Sequence, residues 1–290
     1  MANKFLKSLI PPILLIKILK LRSYIKFLKF KEFISINDNL KDIHKGKRCF
    51  ILGSGPSIKK ENLLVLKDEI VLALNNFYVH EDFAEIMSGD LPKYYMTAPI
   101  HLPQTENEWK RWFCDMESKM PKQVNMLFGL SAYKGNIKYI FDKYEIFKKQ
   151  KINWYFAGID ANDYFAADPK DLDISKMIWK ASTCSVYAII AAIYMGFSEI
   201  YLLGMDHNQP FLNKKEMRFY KKAIHQKDEI KRVLNNKSFN KHSFEALSNI
   251  FAQYEILNKS KSKIINLTQG GTVDIFDRNT LESIHKNNNL

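Results

Sequence analysis

Short apolar runs that end in glycine or polar residues recur along this chain of 290 residues and predict buried strands. The clearest runs lie at residues 48–52, 70–74, 198–203 and 263–267. Segments of helical length lie between them, and residues 186–195 are apolar on nearly every side, which predicts a buried helix. This alternation predicts an α/β fold with a doubly wound, mostly parallel, Rossmann-like sheet.

Polar and glycine residues follow four of the predicted strands, at residues 53–57, 75–78, 204–207 and 268–272. Ligands of such sheets bind beyond the carboxyl ends of the strands, so we expect these segments to surround one pocket. The first, Gly53-Ser54-Gly55-Pro56-Ser57, precedes a predicted helix start, where unpaired peptide N–H groups suit a phosphate. It is shorter than a dinucleotide fingerprint and lacks the lysine of a P-loop, and packing alone is the alternative reason for its glycines.

The other strand ends supply further candidate binding residues. Asn75 and Asn76 each offer a donor and an acceptor for a base or a sugar hydroxyl, although asparagine is also a common turn residue. Asp206 and His207 follow the strand at 198–203, and a carboxylate there would orient a hydroxyl group or hold a metal. Gly270 and Gly271 follow the last predicted strand, and we expect them to line the same pocket.

The net charge of +13 is concentrated at the N-terminus, where residues 1–33 contain eight Lys and Arg against one acid. The uncharged run before Lys17 is too short to span a bilayer. Residues 1–40 are predicted to form a basic amphipathic segment on the inner leaflet of the membrane; the alternative is a helix packed on the domain or on a partner subunit. The apolar stripe of this predicted helix consists of Leu14, Ile18, Leu21, Ile25 and Leu28.

The remainder of the chain is predicted to form one domain at residues 41–283, followed by a polar tail at 284–290. Residues 210–240 are lysine-rich and without a firm period, which predicts a helical or mobile lid. Three widely spaced cysteines indicate neither a disulfide framework nor a metal site, and they fit a reducing cytoplasm. Nucleic acid is the least favoured partner, since no aromatic-basic motif accompanies the charge.

Four segments in order carry a family resemblance, at residues 51–57, 75–78, 183–187 and 199–206. They resemble the bacterial lipooligosaccharide sialyltransferases of the Campylobacter type and the related motility accessory factors, a group that shares its domain with an archaeal pterin pyrophosphokinase. The resemblance covers about residues 46–275 with gaps. It implies a Rossmann-like, GT-A-like domain with a lid insertion and a metal-independent, inverting enzyme that uses a CMP-activated sialic acid.

Carried over by position, the resemblance places Gly53, Ser54, Gly55 and Ser57 on the nucleotide phosphate and ribose, and Asn76 or Asn75 on the nucleotide. Thr183, Cys184 and Ser185 match a Thr-Ser-Gly stretch of the family that touches the donor, with two of the three residues changed.

The family's general base is a histidine just before its last long helix, and the resemblance implies His242 or His225 in this role. His242 is the nearest match, although it lies closer to the predicted helix than the family's histidine does. Tyr220 is the nearest counterpart of the family's lid tyrosines.

We therefore expect a glycosyltransferase that moves a sugar from a nucleotide donor onto a surface-glycan precursor such as lipooligosaccharide, without a cofactor. Its expected partners are the nucleotide sugar, a lipid-linked acceptor and the membrane surface, and self-association stays open. One alternative is an ATP-dependent hydroxymethylpterin pyrophosphokinase, which the few strand-end carboxylates disfavour. Another is a non-catalytic nucleotide-fold module in glycan assembly, which Cys184 and Ser185 favour.

Overall fold

The computed structural model describes residues 11–160, 172–212, 218–220, 235 and 237–286. Their strands are β1 Arg48–Leu52, β2 Val71–Leu74, β3 Lys93–Thr97, β4 Asn125–Leu130, β5 Ile152–Asp160, β6 Met177–Lys180, β7 Glu199–Leu203, β8 Lys263–Asn266 and β9 Asp277–Arg278. They form one sheet in the order β6-β5-β4-β3-β2-β1-β7-β8-β9, and every pairing is parallel. The predicted α/β fold with a parallel sheet is confirmed.

The described α-helices are α1 Pro12–Phe27, α2 Lys31–Ser35, α3 Phe83–Ile86, α4 Glu106–Lys119, α5 Ile137–Tyr144, α6 Cys184–Tyr194, α7 Phe239–Asn258 and α8 Leu281–Lys286. Short 3-10 helices connect several of them, at Leu28–Phe30, Ile36–Leu40, Pro56–Lys60, Leu63–Leu66, Phe77–Val79 and Gln209–Phe211.

The sheet has a hydrophobic core on each face because successive strand residues point to opposite sides. Phe50 and Leu52 of β1 belong to one core, whereas Ile51 between them belongs to the other. Residues of α1, α4, α5 and α8 complete the first core, and those of α6 and α7 complete the second. Both faces are therefore covered, which explains why the strands are almost continuously apolar.

The chain reverses its direction of winding between β1 and β7. From β1 the strands proceed outward through β2 to β6 on one side, and β7 to β9 continue on the other side. The loops after β1 and β7 consequently leave the carboxyl edge of the sheet in opposite directions and open a crevice between them. This switch point is where a ligand of a doubly wound sheet is expected to bind.

The described part of the N-terminal segment is packed on the sheet domain. Phe27 and Ile34 lie in the first core, and the Asn37 side-chain N–H donates to the Trp154 carbonyl oxygen at 2.7 Å. The face of α1 turned away from the domain exposes the predicted stripe of Leu14, Ile18, Leu21, Ile25 and Leu28. The helix is thus docked on the domain through one side while its apolar stripe remains uncovered.

Two segments have more regular structure than the sequence predicts: the C-terminal tail and residues 133–180. The predicted tail at 284–290 begins inside α8, where Ile284 packs into the first core. The sequence between residues 133 and 180 carries no regular pattern, yet its described residues supply α5 and two strands of the sheet.

Candidate functional site

A cavity of about 660 Å³ lies at the carboxyl edge of the sheet, beside the switch point between β1 and β7. The ends of β1, β2 and β7 meet there, as the sequence predicts, together with α4 and the starts of α6 and α7. The expected site residues in its lining are Gly53, Ser54, Gly55, Asn75, Asn76, Thr183, Cys184, Ser185, Asp206 and His242. Pro56, Ser57, Gly270 and Gly271 lie outside the lining.

The glycine turn does not present its peptide N–H groups to the cavity. Those of Gly53 and Gly55 donate to carbonyl oxygens at the end of β7, at 2.8 and 3.0 Å. The N–H of Ser57 donates to the Asp206 carboxylate at 3.2 Å, and Pro56 has none. The expectation of a phosphate cradle is therefore wrong at these four positions, because their donors are already paired within the protein or absent.

Close packing explains the glycines of this turn. A Cβ on Gly53 would lie 2.5 Å from the carbonyl oxygen of Gly204, and a Cβ on Gly55 would overlap the Asp206 carboxylate. The helix expected after the turn is only a 3-10 turn at Pro56–Lys60, so it adds no extended helix dipole. The two glycines thus allow the end of β1 to lie against the end of β7.

Asp206 is fixed on both of its sides. The Ser57 hydroxyl donates to its carboxylate at 2.7 Å, and the Thr272 N–H donates to its carbonyl oxygen at 2.9 Å. Burial raises the pKa of Asp206, while the hydrogen bonds from Ser57 oppose that rise. Gly271 has a left-handed φ of 74°, and a Cβ there would lie 2.7 Å from the same carbonyl oxygen. Gly271, expected in the pocket, instead packs against the backbone of Asp206, whereas the space around Gly270 is open.

The start of α6 offers the donors that the glycine turn lacks. Thr183 is the N-cap residue, but its side chain makes no capping hydrogen bond, and no described residue accepts from the N–H of Cys184 or Ser185. Unpaired N–H groups at the positive end of an 11-residue helix suit an anion. Burial raises the pKa of the Cys184 thiol to about 12, so this residue is an uncharged packing group.

Three side chains near the start of α6 are linked by hydrogen bonds. The hydroxyls of Ser185 and Tyr254 are 2.6 Å apart, and the Tyr254 hydroxyl lies 2.8 Å from His207 Nε2. Tyr254 is completely buried, whereas Ser185 and His207 reach the cavity. Burial, reinforced by the positive charge of Arg218, lowers the pKa of His207 to about 4. The imidazole is therefore neutral near pH 7.

The two asparagines after β2 have different roles. Asn75 has a φ of 51°, a left-handed conformation that asparagine tolerates, and its carbonyl oxygen accepts from the Tyr95 hydroxyl. The Asn76 side chain accepts from Trp112 Nε1 at 2.7 Å and donates to the Tyr220 hydroxyl at 2.5 Å. Asn75 thus forms the turn, and Asn76 connects two walls of the cavity.

Residues 218–220, one of the described parts of the predicted lid, contact the glycine turn. The N–H of Phe219 donates to the Ser54 carbonyl oxygen at 3.2 Å. Tyr220 is buried and bonds to Asn76, so the tyrosine suggested by the resemblance lies at the cavity edge.

His242 lies in the first turn of α7, on the cavity wall, with an exposed side chain. The resemblance implies a histidine just before this helix, whereas α7 already begins at Phe239. His225, the other candidate base, lies outside the described residues.

Sequence reasoning singled out His207 beside Asp206 without assigning it a role, and it missed an aromatic wall. Trp109 and Trp112 of α4 line the cavity with ring centroids 5.4 Å apart. Their spacing of three residues predicts one helix face, but nothing in the sequence indicates that this face borders the site. His207 follows Asp206 at a strand end, and its link to the distant Tyr254 depends on the fold.

Comparisons with models of known protein families and with curated proteins found no match for this chain. The resemblance to sialyltransferases accordingly stays a prediction. Within the described ranges, no three His, Cys, Asp or Glu side chains are grouped so that they could hold a metal ion. Within the same ranges, each helix is too short or too polar to cross a membrane.

Proposed function

We propose that this protein is a glycosyltransferase that moves a sugar from a nucleotide donor onto a surface-glycan precursor. The observation that carries the proposal is the cavity at the switch point between β1 and β7. Nucleotides bind at this place in doubly wound sheets, and small-molecule sites measure roughly 300–1,000 Å³. The volume of about 660 Å³ is therefore large enough for a nucleotide sugar.

The start of α6 is the proposed site for the anionic part of the donor. The N–H groups of Cys184 and Ser185 and the hydroxyl of Thr183 would bind phosphate oxygens or, in a sialic-acid donor, the sugar carboxylate. Ser54 and Asn76 border the same space from β1 and β2 and would contact the nucleoside. The proposed anion site is therefore the start of α6, where the N–H donors are unpaired, and not the glycine turn that the sequence predicts.

His242 is the proposed general base. The acceptor hydroxyl oxygen forms a bond to the anomeric carbon, while the bond from that carbon to the phosphate oxygen breaks and the nucleotide leaves with the electron pair. His242 takes the proton of the hydroxyl. The donors at the start of α6 stabilise the negative charge that develops on the leaving phosphate.

The exposed stripe of α1 is the proposed contact with the membrane. Its five apolar residues expose between 39 and 60% of their surfaces, although the opposite side of the helix packs on β5. Basic residues surround the stripe, among them Lys17, Lys20 and Lys26. An apolar stripe flanked by lysines suits an anionic leaflet and would hold the enzyme beside a lipid-linked acceptor.

A donor screen tests the proposed activity. The purified full chain is incubated with CMP-, UDP- and GDP-sugars and truncated lipooligosaccharide, and the products are identified by mass spectrometry. We expect turnover with one donor, and a loss of about 10²–10⁴-fold in kcat for His242→Ala with donor affinity retained. The matched control is His285→Gln, an exposed histidine of α8. Failure of every donor to bind or react would exclude the proposal.

A non-catalytic module in glycan assembly is the second candidate, favoured by the internally paired N–H groups of Gly53 and Gly55. Donor binding without turnover, together with an unchanged cellular glycan in a His242→Ala strain, would favour it. Incubation of the purified protein with ATP and 6-hydroxymethylpterin tests the pyrophosphokinase alternative, for which the release of AMP is measured.

A further inference from the structure

We propose that His207 recognises an anionic oxygen of the ligand by donating a hydrogen bond from Nδ1–H. The inference deepens the proposed function, because it concerns the same cavity and rests on an anionic ligand there. It assigns to His207 a binding role different from the proton-accepting role of His242.

The backbone at His207 has a left-handed conformation. Its φ is 47°, in a region that residues other than glycine rarely adopt. The Thr272 hydroxyl donates to its carbonyl oxygen at 2.9 Å, and the Thr272 N–H fixes Asp206. Both Asp206 and His207 line the cavity, but the Asp206 carboxylate bonds to Ser57. Strain that the surrounding contacts maintain at a cavity is typical of functional residues.

One nitrogen of the imidazole is committed and the other is not. Nε2 lies 2.8 Å from the Tyr254 hydroxyl, and Nδ1 makes no hydrogen bond to any residue that the structure describes. Only 7% of the His207 surface is exposed, yet the residue belongs to the cavity lining.

The hydrogen-bonded chain permits two arrangements of its protons. In one, Ser185 donates to Tyr254, Tyr254 donates to Nε2, and the imidazole proton resides on Nδ1. In the other, Nε2 donates to Tyr254, Tyr254 donates to Ser185, and the Ser185 hydroxyl turns to Thr183, which lies 3.4 Å away. An anionic oxygen at Nδ1 selects the first arrangement, since the second would present a lone pair to it.

The charges around His207 favour a neutral donor over a protonated base. Arg218 is the cation whose field disfavours an imidazolium, and the Tyr254 hydroxyl bonded to Nε2 is a neutral group. The nearest carboxylate in the chain, that of Asp206, is bonded to Ser57 and not to the imidazole. A neutral imidazole N–H binds an oxyanion without a charge of its own.

Nuclear magnetic resonance of the full chain with ¹⁵N-labelled histidine tests this inference. His207→Gln assigns the resonance, and His285→Gln is the control. The probes are inorganic pyrophosphate for a phosphate oxygen and free N-acetylneuraminic acid for a carboxylate. We expect the imidazole of His207 to be neutral at pH 7, with its proton on Nδ1 in the complex with a bound probe. The Nδ1 resonance should shift with the probe that carries the recognised group, which is either the phosphate or the carboxylate. His207→Gln should weaken its binding about tenfold.

Tyr254→Phe supplies a second test because it removes one hydroxyl without removing the ring. We expect this variant to lose the tautomer preference and to bind the probe a few-fold more weakly. A protonated ring at pH 7, a proton on Nε2 in the saturated complex, or no response to either probe would overturn the inference. These readouts do not require sugar transfer, so an inactive protein whose His207 still responds would refute the proposed function alone.

Discussion

The hydroxyl of Ser57 donates to the carboxylate of Asp206 across 2.7 Å, and this bond joins the loop after β1 to the loop after β7. The same carboxylate accepts the Ser57 N–H at 3.2 Å. The carboxylate thus occupies the position that a bound phosphate would take in a phosphate-binding turn. The two loops at the switch point are consequently fixed to each other.

The contact between these loops makes Gly55 intolerant of a side chain. A Cβ at this position overlaps the Asp206 carboxylate, so Gly55→Ala should lower the free energy of unfolding by about 1–3 kcal/mol. Urea unfolding followed by circular dichroism measures the change. Gly135→Ala is the matched control, because its added Cβ would meet only the movable side chain of Tyr133 at 3.2 Å. Equal stability of the two variants would contradict the packing argument.

The sequence predicts the strands at the centre of the sheet because they are buried on both faces and therefore continuously apolar. The runs at 48–52, 70–74 and 198–203 become β1, β2 and β7 with shifts of at most one residue. The strands toward the β6 edge of the sheet are harder to predict. β5 mixes aromatic, small and polar residues, and its pairing with β4 on one side and β6 on the other identifies it as a strand.

The candidate site shows the same limit. Local patterns predict that the ends of β1, β2 and β7 meet at the cavity, since that follows from the order of strands and helices. The fourth expected segment, 268–272, does not line it. Local patterns also do not predict that the donors of the glycine turn are paired, because the acceptor Asp206 lies 149 residues from Ser57. The chain from Ser185 through Tyr254 to His207 likewise joins three distant segments.

Asn76 should contribute to stability through its two partners. Asn76→Ala leaves the buried N–H of Trp112 without an acceptor and removes the contact to Tyr220, with an expected loss of about 1–3 kcal/mol. Tyr220→Phe removes only one of the two bonds and should cost about 1 kcal/mol or less. Urea unfolding gives both values, and the tryptophan emission of the folded protein should shift only in Asn76→Ala. A larger loss in Tyr220→Phe would argue against Asn76 as the connecting residue.

Acid should destabilise the protein through its buried histidines. The pKa of His207 is lowered from 6.5 to about 4, mainly by burial, and burial also lowers the pKa of His44. The unfolded chain then binds more protons than the folded protein, so stability is complete above about pH 6.5 and declines as the pH falls toward 4. For His207 alone the full decline amounts to about 3 kcal/mol.

The variant His207→Gln isolates this contribution. Between pH 7.5 and 4.5 its free energy of unfolding should fall less than that of the wild-type protein, although it starts about 1 kcal/mol lower because the bond to Tyr254 is changed. His285→Gln, on the exposed side of α8, should retain the wild-type slope. Parallel pH profiles of the wild-type protein and His207→Gln would disprove a lowered pKa at this residue.

The exposed stripe of α1 should bind anionic membranes. Leu21 and Ile25 expose 60 and 55% of their surfaces, and burying such a side chain contributes about 1.5–3 kcal/mol. The double variant Leu21→Ser/Ile25→Ser of the full chain should therefore bind phosphatidylglycerol vesicles about 100-fold more weakly in co-sedimentation. High salt should also weaken the binding of the wild-type protein to these vesicles, since the flanking lysines contribute about 1 kcal/mol each near an anionic surface.

The control for this prediction replaces two other exposed apolar residues elsewhere on the domain. Leu64 and Leu91 expose 40 and 41% of their surfaces, so Leu64→Ser/Leu91→Ser removes similar side chains away from the lysines of α1. If both double variants lose the same affinity, binding follows general hydrophobicity and not the stripe. If the wild-type protein ignores vesicles but sediments as a dimer that Leu21→Ser/Ile25→Ser dissociates, a second copy of the chain covers α1 and the membrane proposal is refuted.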